Sequence, residues 1–259
     1  MNYFMDDERE AGRLTDKVDP RSWVDRFIRP HMPGVENVLD VGCGPGVLAQ
    51  CVAEAYGDCR VIGLDASERR LETARKQQVD NLSFEKGDAQ RLPFDDDRFD
   101  LVYCRFLLEY LPSPRTAIRE MARVCRPGGR ILLQDLDGQL VWHYPIEPEL
   151  EEGISQTLPA LRETGFDPFI GRKLFHFAVR CGLKDIQVDI EPYHLIARTV
   201  DEENLRLWEL KLDIALPMIA EAWGSEEKAE QLKAAFIAHL KREDSLTYSN
   251  LCTVTGIVP

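Results

Sequence analysis

The sequence has little that would suggest a secreted, metal-binding or membrane protein. Its seven cysteines and five histidines are scattered, with no C-x-x-C pair and no H-E-x-x-H array. An odd number of scattered cysteines is typical of reduced thiols in the cytosol, so we expect no metal site. No stretch approaches about 18 apolar residues, and no membrane span is therefore predicted. The first residues are acidic and contain no apolar core, so we predict no secretory signal and expect a cytoplasmic location.

Positive charge is also scarce. The chain has 32 lysines and arginines against 45 acidic residues, and its formal net charge is −13. Such a charge repels nucleic acid unless a local basic patch compensates for it. The short basic pairs Arg69-Arg70 and Arg172-Lys173 are flanked by acids, and solvated helix faces explain them better. We therefore expect a small-molecule partner and no nucleic acid, for a chain that is a monomer or a homodimer.

Strand-like and helix-like patterns alternate along roughly the first half of the chain. Strand-like segments end at Val41, Leu64, Lys86, Cys104 and Gln134, and helical periodicity occupies most of the intervals between them. Repeated units of this length predict a parallel sheet with helices on both faces, and right-handed crossovers make such a sheet doubly wound. Two later strand patterns complete the sheet. The predicted fold class is α/β, with a doubly wound, mostly parallel seven-stranded sheet and a helical cap.

The rhythm changes after Asp135, where long helical patterns separate the last two strand patterns. An insertion at this point would lie near the carboxyl ends of the sheet strands, a position that suits a cap over a ligand. We expect an N-terminal helical segment, a core, and a remainder that holds the last strands and the cap. Their predicted limits are 1–34, 35–136 and 137–259, with the cap insertion at about 140–182 and 201–243.

One glycine-rich loop carries most of the functional information. It runs from Asp40 to Gly46, directly after the first predicted strand, and contains glycines at positions 42, 44 and 46. Glycine lets a ligand approach the backbone closely because it has no Cβ. Ligands of doubly wound sheets bind at the carboxyl ends of the strands. Taken alone, the loop is either a cofactor site or simply a tight turn.

Two further acids favour a nucleoside-containing cofactor. Asp65 ends the second strand, where a carboxylate can accept hydrogen bonds from both hydroxyls of a ribose. Asp88 follows the third strand and could accept a hydrogen bond from an adenine amino group, although either acid could instead be a capping or turn residue. The third glycine comes one residue earlier than in the dinucleotide fingerprint, and Asp40 would oppose a pyrophosphate but suit an ammonium group. An NAD(P)-dependent oxidoreductase is therefore the less favoured alternative.

These motifs together resemble those of class I methyltransferases that use S-adenosylmethionine (SAM). The similarity lies in five segments within residues 35–136: VLDVGCGPG at 38–46, GLDAS at 63–67, GDAQRLPF at 87–94, FDLV at 99–102 and RPGGR at 126–130. Their order and spacing are similar to the small-molecule branch, which includes the ubiquinone and menaquinone methyltransferases. The resemblance implies the Rossmann-like methyltransferase fold, SAM as cofactor and S-adenosylhomocysteine (SAH) as product.

The resemblance also implies roles for individual residues. The glycine loop would pass the methionine part of SAM, the next two strand ends would hold the ribose and adenine, and the end of strand four would line the methionine side. An N-terminal lid over the cofactor is implied as well. The residues that match these roles are Asp40, Gly42, Cys43 and Gly44 for the loop, Asp65 and Ala66 for the ribose and adenine, Asp88 and Ala89 for the adenine edge, Cys104 and Arg105 for the methionine side, and Tyr3 and Arg13 for the lid.

The methyl acceptor is predicted less sharply. The segment after strand five should border the methyl group, so His143 is a candidate general base, with Trp142 and Tyr144 shaping an aromatic pocket. Tyr110 lies near the expected site after strand four, and all of these residues could instead pack the cap. The predicted activity is methyl transfer to an O, N or C atom of a small organic molecule. A SAM-binding protein with a different or regulatory role is the main alternative.

Overall fold

The computed structural model describes residues 19–77 and 79–259. Their strands form one seven-stranded sheet in the order β3-β2-β1-β4-β5-β7-β6. All neighbouring pairs from β3 to β5 are parallel, and β7 runs antiparallel to both β5 and β6. The predicted doubly wound, mostly parallel α/β fold is confirmed. The strands are β1 (Asn37–Val41), β2 (Arg60–Asp65), β3 (Leu82–Lys86), β4 (Phe99–Arg105), β5 (Cys125–Tyr144), β6 (Lys184–Ala197) and β7 (Leu246–Ile257).

Eight α-helices lie among the described residues. Local sequence explains several of their starts: Ser67 accepts a hydrogen bond from the amide of Arg70 at one N-terminus, and Pro114 occupies the first turn of another. None of the described helices is long and apolar enough to cross a membrane. The helices are α1 (Pro20–Trp23), α2 (Val47–Ala55), α3 (Glu68–Ala74), α4 (Pro114–Val124), α5 (Pro148–Glu163), α6 (Leu174–Arg180), α7 (Glu202–Trp223) and α8 (Glu226–Leu240).

Two apolar cores cover the two faces of the sheet. On one face, Ile118 of α4 and Leu174 of α6 belong to a buried cluster that includes residues of β1, β4 and β5. On the other face, Val52 of α2 packs in a second cluster with Trp23 and Ile28. The described part of the N-terminal segment expected to form a lid, residues 19–34, therefore packs against the sheet. Its apolar side chains, such as Phe27 and Ile28, are buried there.

The cap is narrower than expected at its first insertion. Residues 140–144 continue strand β5, because β7 pairs with it as far as Tyr144 opposite Leu246. Gly138, with φ of +77°, lies in an irregular stretch where the register between these strands shifts. Helix α6 also lies outside the cap, since Leu174 and Ala178 are buried in the sheet core. The cap core instead joins α5, α7 and α8 through Leu150, Trp208, Leu212, Phe236 and Leu240.

Candidate cofactor and acceptor site

The glycine loop follows β1 at the point where strand order reverses, between β2 and β4. Gly42, Gly44 and Gly46 all have positive φ, at +76°, +55° and +80°. The amides of Gly42 and Cys43 donate to the carbonyl oxygen of Leu64 at 2.7 and 3.0 Å, which ties the loop to the end of β2. The backbone is thus held in a left-handed conformation that favours glycine, at the edge where doubly wound sheets bind ligands.

The three glycines have different surroundings. A Cβ on Gly42 would lie 2.8 Å from Cδ1 of Leu107, and a Cβ on Gly46 would lie 2.6 Å from Cζ of Phe84. A Cβ on Gly44 would meet no heavy atom within 4 Å. Neighbouring side chains thus crowd positions 42 and 46, whereas the backbone of Gly44 faces open space. This geometry fits a ligand that approaches the chain at Gly44.

The Asp65 carboxylate supports this loop from the end of β2. It is 6% exposed, its Oδ2 accepts from the Gly44 amide at 2.9 Å, and its Oδ1 accepts from the Ser67 amide at 2.8 Å. An ionised carboxylate has about four acceptor positions, so these two bonds leave capacity for a ligand. The structural role of Asp65 as a turn residue and its predicted role toward ribose hydroxyls are therefore compatible.

The ends of β2 and β3 bring the predicted adenine-binding residues to the same edge. Asp65 pairs in register with Lys86, so Ala66 and Asp88 follow neighbouring strand ends. Ala66 is exposed, and the exposed Asp88 accepts from the Gln90 amide at 2.8 Å through Oδ1. Ala89 is buried beneath this turn. The fold thus assembles residues from three separate motifs around one end of the sheet.

Asp40 is a buried carboxyl group close to the glycine loop. Its side chain belongs to β1 and is 3% exposed. Burial raises the pKa of Asp40 to about 7, an effect that the Tyr103 hydroxyl reduces, that the Asp65 charge increases and that Arg105 reduces. Asp135, which is also buried, has its pKa raised to about 7 by burial. Two carboxyl groups near the strand ends are therefore partly protonated at neutral pH.

The buried Asp40 predicts an unusual dependence of stability on pH. Its pKa is near 4 in the unfolded chain and about 7 in the folded one, so the folded state holds the additional proton between these values. The free energy of unfolding should fall as pH rises from 4 to 7, by up to about 4 kcal/mol for this group. Asp40→Asn removes the contribution of this carboxyl group to the pH dependence, and we expect the variant to be more stable than the wild type at pH 8.

Urea unfolding at pH 5 and pH 8 tests this expectation. The variant should retain the part of the pH dependence that comes from other groups, such as Asp135, whose pKa is shifted in the same direction, and His31, whose pKa burial lowers. Asp88→Asn is the matched control, because this carboxylate is exposed and its replacement changes no buried charge. An equal fall in stability from pH 5 to pH 8 in wild type and Asp40→Asn would contradict the assignment.

A polar network closes the end of β4. The Nε of Arg105 donates to Oε1 of Gln134 at 3.0 Å, and the Trp23 indole donates to the same oxygen at 2.6 Å. The Arg105 guanidinium lies 3.9 Å from the ring centroid of Phe106, whose ring in turn meets that of Tyr193 at 5.6 Å. Burial lowers the pKa of Arg105, while Tyr193 and nearby carboxylates raise it.

Sequence reasoning placed Cys104 and Arg105 at this strand end but missed the roles of Trp23 and Gln134. Cys104 is fully buried, and burial raises the pKa of its thiol well above the usual range. In the sequence, Gln134 is marked only as the last residue of a predicted strand, and no motif includes Trp23. No local pattern indicates that two residues 111 positions apart share a hydrogen bond.

The residues predicted to border the methyl group lie elsewhere. His143 is opposite Thr247 in the β5–β7 pair, whereas Gln134 is opposite Thr253, six residues away along β7. At about 3.4 Å per residue, this separation is about 20 Å. Nδ1 of His143 lies 2.9 Å from Oγ1 of Thr247, and its ring meets that of His239 at 4.8 Å. His143 thus packs between the strands and the cap, far from the glycine loop.

Its two aromatic neighbours do not form a pocket around the loop either. Tyr144 is 78% exposed. The Trp142 ring lies 6.2 Å from that of Phe169 and 5.8 Å from the Arg172 guanidinium. These three residues were expected in a loop, but pairing with β7 extends β5 through them and carries them away from the strand ends. The prediction that they border the methyl path is therefore corrected.

Tyr110 does lie next to the candidate site. It ends a 3₁₀ turn, Leu108–Tyr110, and its amide donates to the carbonyl of Leu107, the residue that covers Gly42. Its ring meets that of Phe166 at 5.2 Å, and both rings line a cavity beneath the cap. Tyr3 and Arg13, the predicted lid residues, lie outside the described residues. Among the described residues, no group of three or more histidine, cysteine or acidic side chains could hold a metal ion.

Comparison with known proteins agrees with this geometry. A family model described as a methyltransferase domain matches residues 39–133. An uncharacterized methyltransferase of Schizosaccharomyces pombe is 30% identical over 201 residues, which cover 73% of this chain and 70% of the relative. The region matched by the family model contains the glycine loop and the ends of β1, β2, β3 and β4.

Two solved structures share the fold. Phosphoethanolamine N-methyltransferase 2 of Haemonchus contortus, in complex with phosphomonomethylethanolamine and SAH, aligns with a TM-score of 0.56 at 15% identity, covering 93% of this chain and 61% of that one. The [4+2]-cyclase SpnF aligns with a TM-score of 0.57 at 22% identity, covering 97% and 84%. At such identities the likeness concerns the fold alone. The family model and the yeast relative, together with the strand-end geometry, show that the chain belongs to the class I SAM-dependent methyltransferases.

Proposed function

We propose that this protein binds SAM at the glycine loop and moves its methyl group to an O, N or C atom of a small organic molecule. One observation carries the proposal. The buried Asp65 carboxylate is bonded to the Gly44 amide at the switch point of the sheet, next to backbone that faces open space. A carboxylate with spare acceptor capacity beside an accessible backbone suits a ribose joined to a methionine chain.

Different residues of this edge of the sheet would contact different parts of the cofactor. Asp65 would accept from the ribose hydroxyls, and the exposed Ala66 and Asp88 would border the adenine. Gly44 would pass the methionine part. The burial of Asp40 supports an indirect role toward the ammonium group, through water, rather than a direct ion pair.

Methyl transfer from SAM depends mainly on the alignment of the two reactants. SAM, when bound, supplies a methyl group on a sulfonium cation, which is already activated for in-line displacement. The chain contributes by orienting the two reactants and excluding water, and such positioning can lower a barrier by roughly 7–11 kcal/mol. Leu107 covers the loop, and the cap helices enclose the space beyond Tyr110. The position of His143 gives no support to its predicted role as general base, and the proposal assigns none.

Calorimetry with SAM, SAH and NADH tests the cofactor assignment. We expect SAM and SAH to bind with one site per chain and NADH to show no heat of binding. The reason is that the short glycine spacing and Asp40 disfavour a pyrophosphate. Binding of NADH without binding of SAM or SAH would overturn the proposal and restore the oxidoreductase alternative.

In a second candidate function, the protein binds SAM but does not transfer its methyl group. The fold by itself is compatible with another reaction, since SpnF, which shares it, is a cyclase. Incubation with methyl-labelled SAM and a metabolite extract separates the two candidates. Transfer of label to an extractable product supports the methyltransferase. Tight SAM binding with no labelled product from any acceptor pool would favour the alternative.

A further inference from the structure

A cavity lies between the cap and the end of β4, and we call it the cap cavity. Its walls come from α5, α7 and α8, and Tyr110 and Phe166 close it on the side of the sheet. Its volume is about 80 Å³. On the same scale, which counts the space open to the centre of a water molecule, one water needs about 10–15 Å³. The cap cavity is therefore large enough for a group of several heavy atoms.

The lining is almost entirely apolar. Leucine, isoleucine, methionine, alanine and phenylalanine side chains make up most of it, among them Leu158, Leu212 and Met218. Thr157 also lines the cavity, but its hydroxyl donates to the Gly153 carbonyl of the same helix at 2.8 Å. All the lining residues belong to the described part of the chain, and none of them is a carboxylate. The cavity therefore contains no anionic partner for an ammonium group.

Lys211 is the charged residue of the lining. Its side chain is buried, and its ammonium lies 5.4 Å from the ring centroid of Trp208, within the range of a cation–π contact. Its stem adds methylene groups to the wall, as long basic side chains commonly do. The cavity as a whole thus offers apolar surface with a single cationic group at its wall.

The cap cavity is adjacent to the edge of the sheet that holds the glycine loop and the carboxyl ends of the parallel strands. Leu107 packs against Gly42, and Tyr110 follows it after one 3₁₀ turn, with a hydrogen bond of 3.1 Å between their backbones. Three residues of such a helix span about 6 Å. A molecule whose apolar part fills the cavity could therefore extend a reactive atom past Tyr110 to the end of β4, where the methyl group would be.

We propose that the cap cavity binds the apolar part of the methyl acceptor, so that the acceptor class is a lipophilic molecule with an aromatic or alkyl body. This inference rests on the proposed function and specifies its substrate. Burying each methylene group favours binding, whereas burying a charged group without a partner is strongly unfavourable. A zwitterion such as the phosphomonomethylethanolamine bound by the Haemonchus contortus enzyme would find no carboxylate for its ammonium group here.

A neutral fluorescent probe, N-phenyl-1-naphthylamine, tests the cavity in the presence of saturating SAH. Ala215 lines the cavity, and Ala215→Phe would fill it with a ring. Loss of the contacts of only two methylene groups lowers affinity by about tenfold, so we expect probe affinity to fall by at least about tenfold. Ala238→Phe is the matched control: the same change on an exposed position of α8 should leave probe affinity unchanged.

Calorimetry with SAH on the same samples keeps the two proposals apart. If SAH binds and the probe binds Ala215→Phe as tightly as wild type, the cavity assignment is overturned while the proposed function stands. If wild type binds no SAH, the proposed function itself fails. A competition on wild type needs no variant: 1-naphthol should displace the probe and phosphoethanolamine should not. Displacement by phosphoethanolamine alone would overturn the inference.

Discussion

Gly44→Ala is expected to weaken SAH binding by about a hundredfold, equivalent to about 2.7 kcal/mol, while the protein stays folded. A Cβ at this position meets no protein atom within 4 Å, so its methyl group would project into the space that the ligand needs. The φ of +55° lies in the left-handed region, where alanine costs only about 1–2 kcal/mol. The substitution should therefore impair binding more than stability.

In the same loop, Gly46→Ala is expected to act mainly on folding stability. Its Cβ would lie 2.6 Å from Cζ of Phe84 and 3.0 Å from Cβ of Ala74, and its φ is +80°. Overpacking and left-handed strain together should lower the free energy of unfolding by about 2–5 kcal/mol. Urea unfolding and SAH calorimetry on both variants separate the effects. The assignment of Gly44 is wrong if its variant binds SAH as wild type does.

The second large effect is expected at Asp65. Asp65→Ala removes the acceptor of both the Gly44 and the Ser67 amides. Leaving a buried donor unsatisfied costs about 1–3 kcal/mol, so the free energy of unfolding should fall by about 2–6 kcal/mol if both amides stay buried. SAH affinity should fall with it, because the loop loses its anchor and the ribose loses its acceptor.

A conservative variant separates the two roles of Asp65. Wild type should prefer SAH over its 2′-deoxyribose analogue by about tenfold or more, since a hydrogen bond to a charged group contributes about 1.5–3 kcal/mol. Asp65→Asn keeps the side-chain shape and should narrow this preference. Asp88→Asn should keep the preference, because that residue would face the adenine. An equal preference in Asp65→Asn and wild type would show that Asp65 supports only the loop.

The first four strands were predictable because their determinants are local. Each is a short strand-like segment followed by turn residues, and β1 and β3 end at the predicted residues, Val41 and Lys86. The glycine loop and the acids at positions 65 and 88 were visible for the same reason: a turn conformation and a carboxylate are properties of a few consecutive residues. The parallel order of the strands then had to bring their ends together at one edge.

The acceptor side was predicted poorly because its determinants are distant in sequence. Strand β5 was expected to end at Gln134, but pairing with β7, more than a hundred residues later, extends it to Tyr144. That pairing removed His143 from the expected site. The cap cavity is lined by Tyr110, which ends the turn after β4, and by three helices between residues 148 and 240. Their individual apolar patterns predict burial but not which faces meet.

By itself, the sequence determined the fold class and the loop conformation and predicted the edge of the sheet where a cofactor would bind, since glycine spacing and strand–turn patterns act over a few residues. Only the tertiary structure decided that Gly44 is the glycine whose backbone faces open space, that Asp65 anchors it, and that Tyr110 rather than His143 lies beside the candidate site. Those outcomes depend on the packing of side chains from separate elements. Such packing follows from the three-dimensional arrangement of all the elements together.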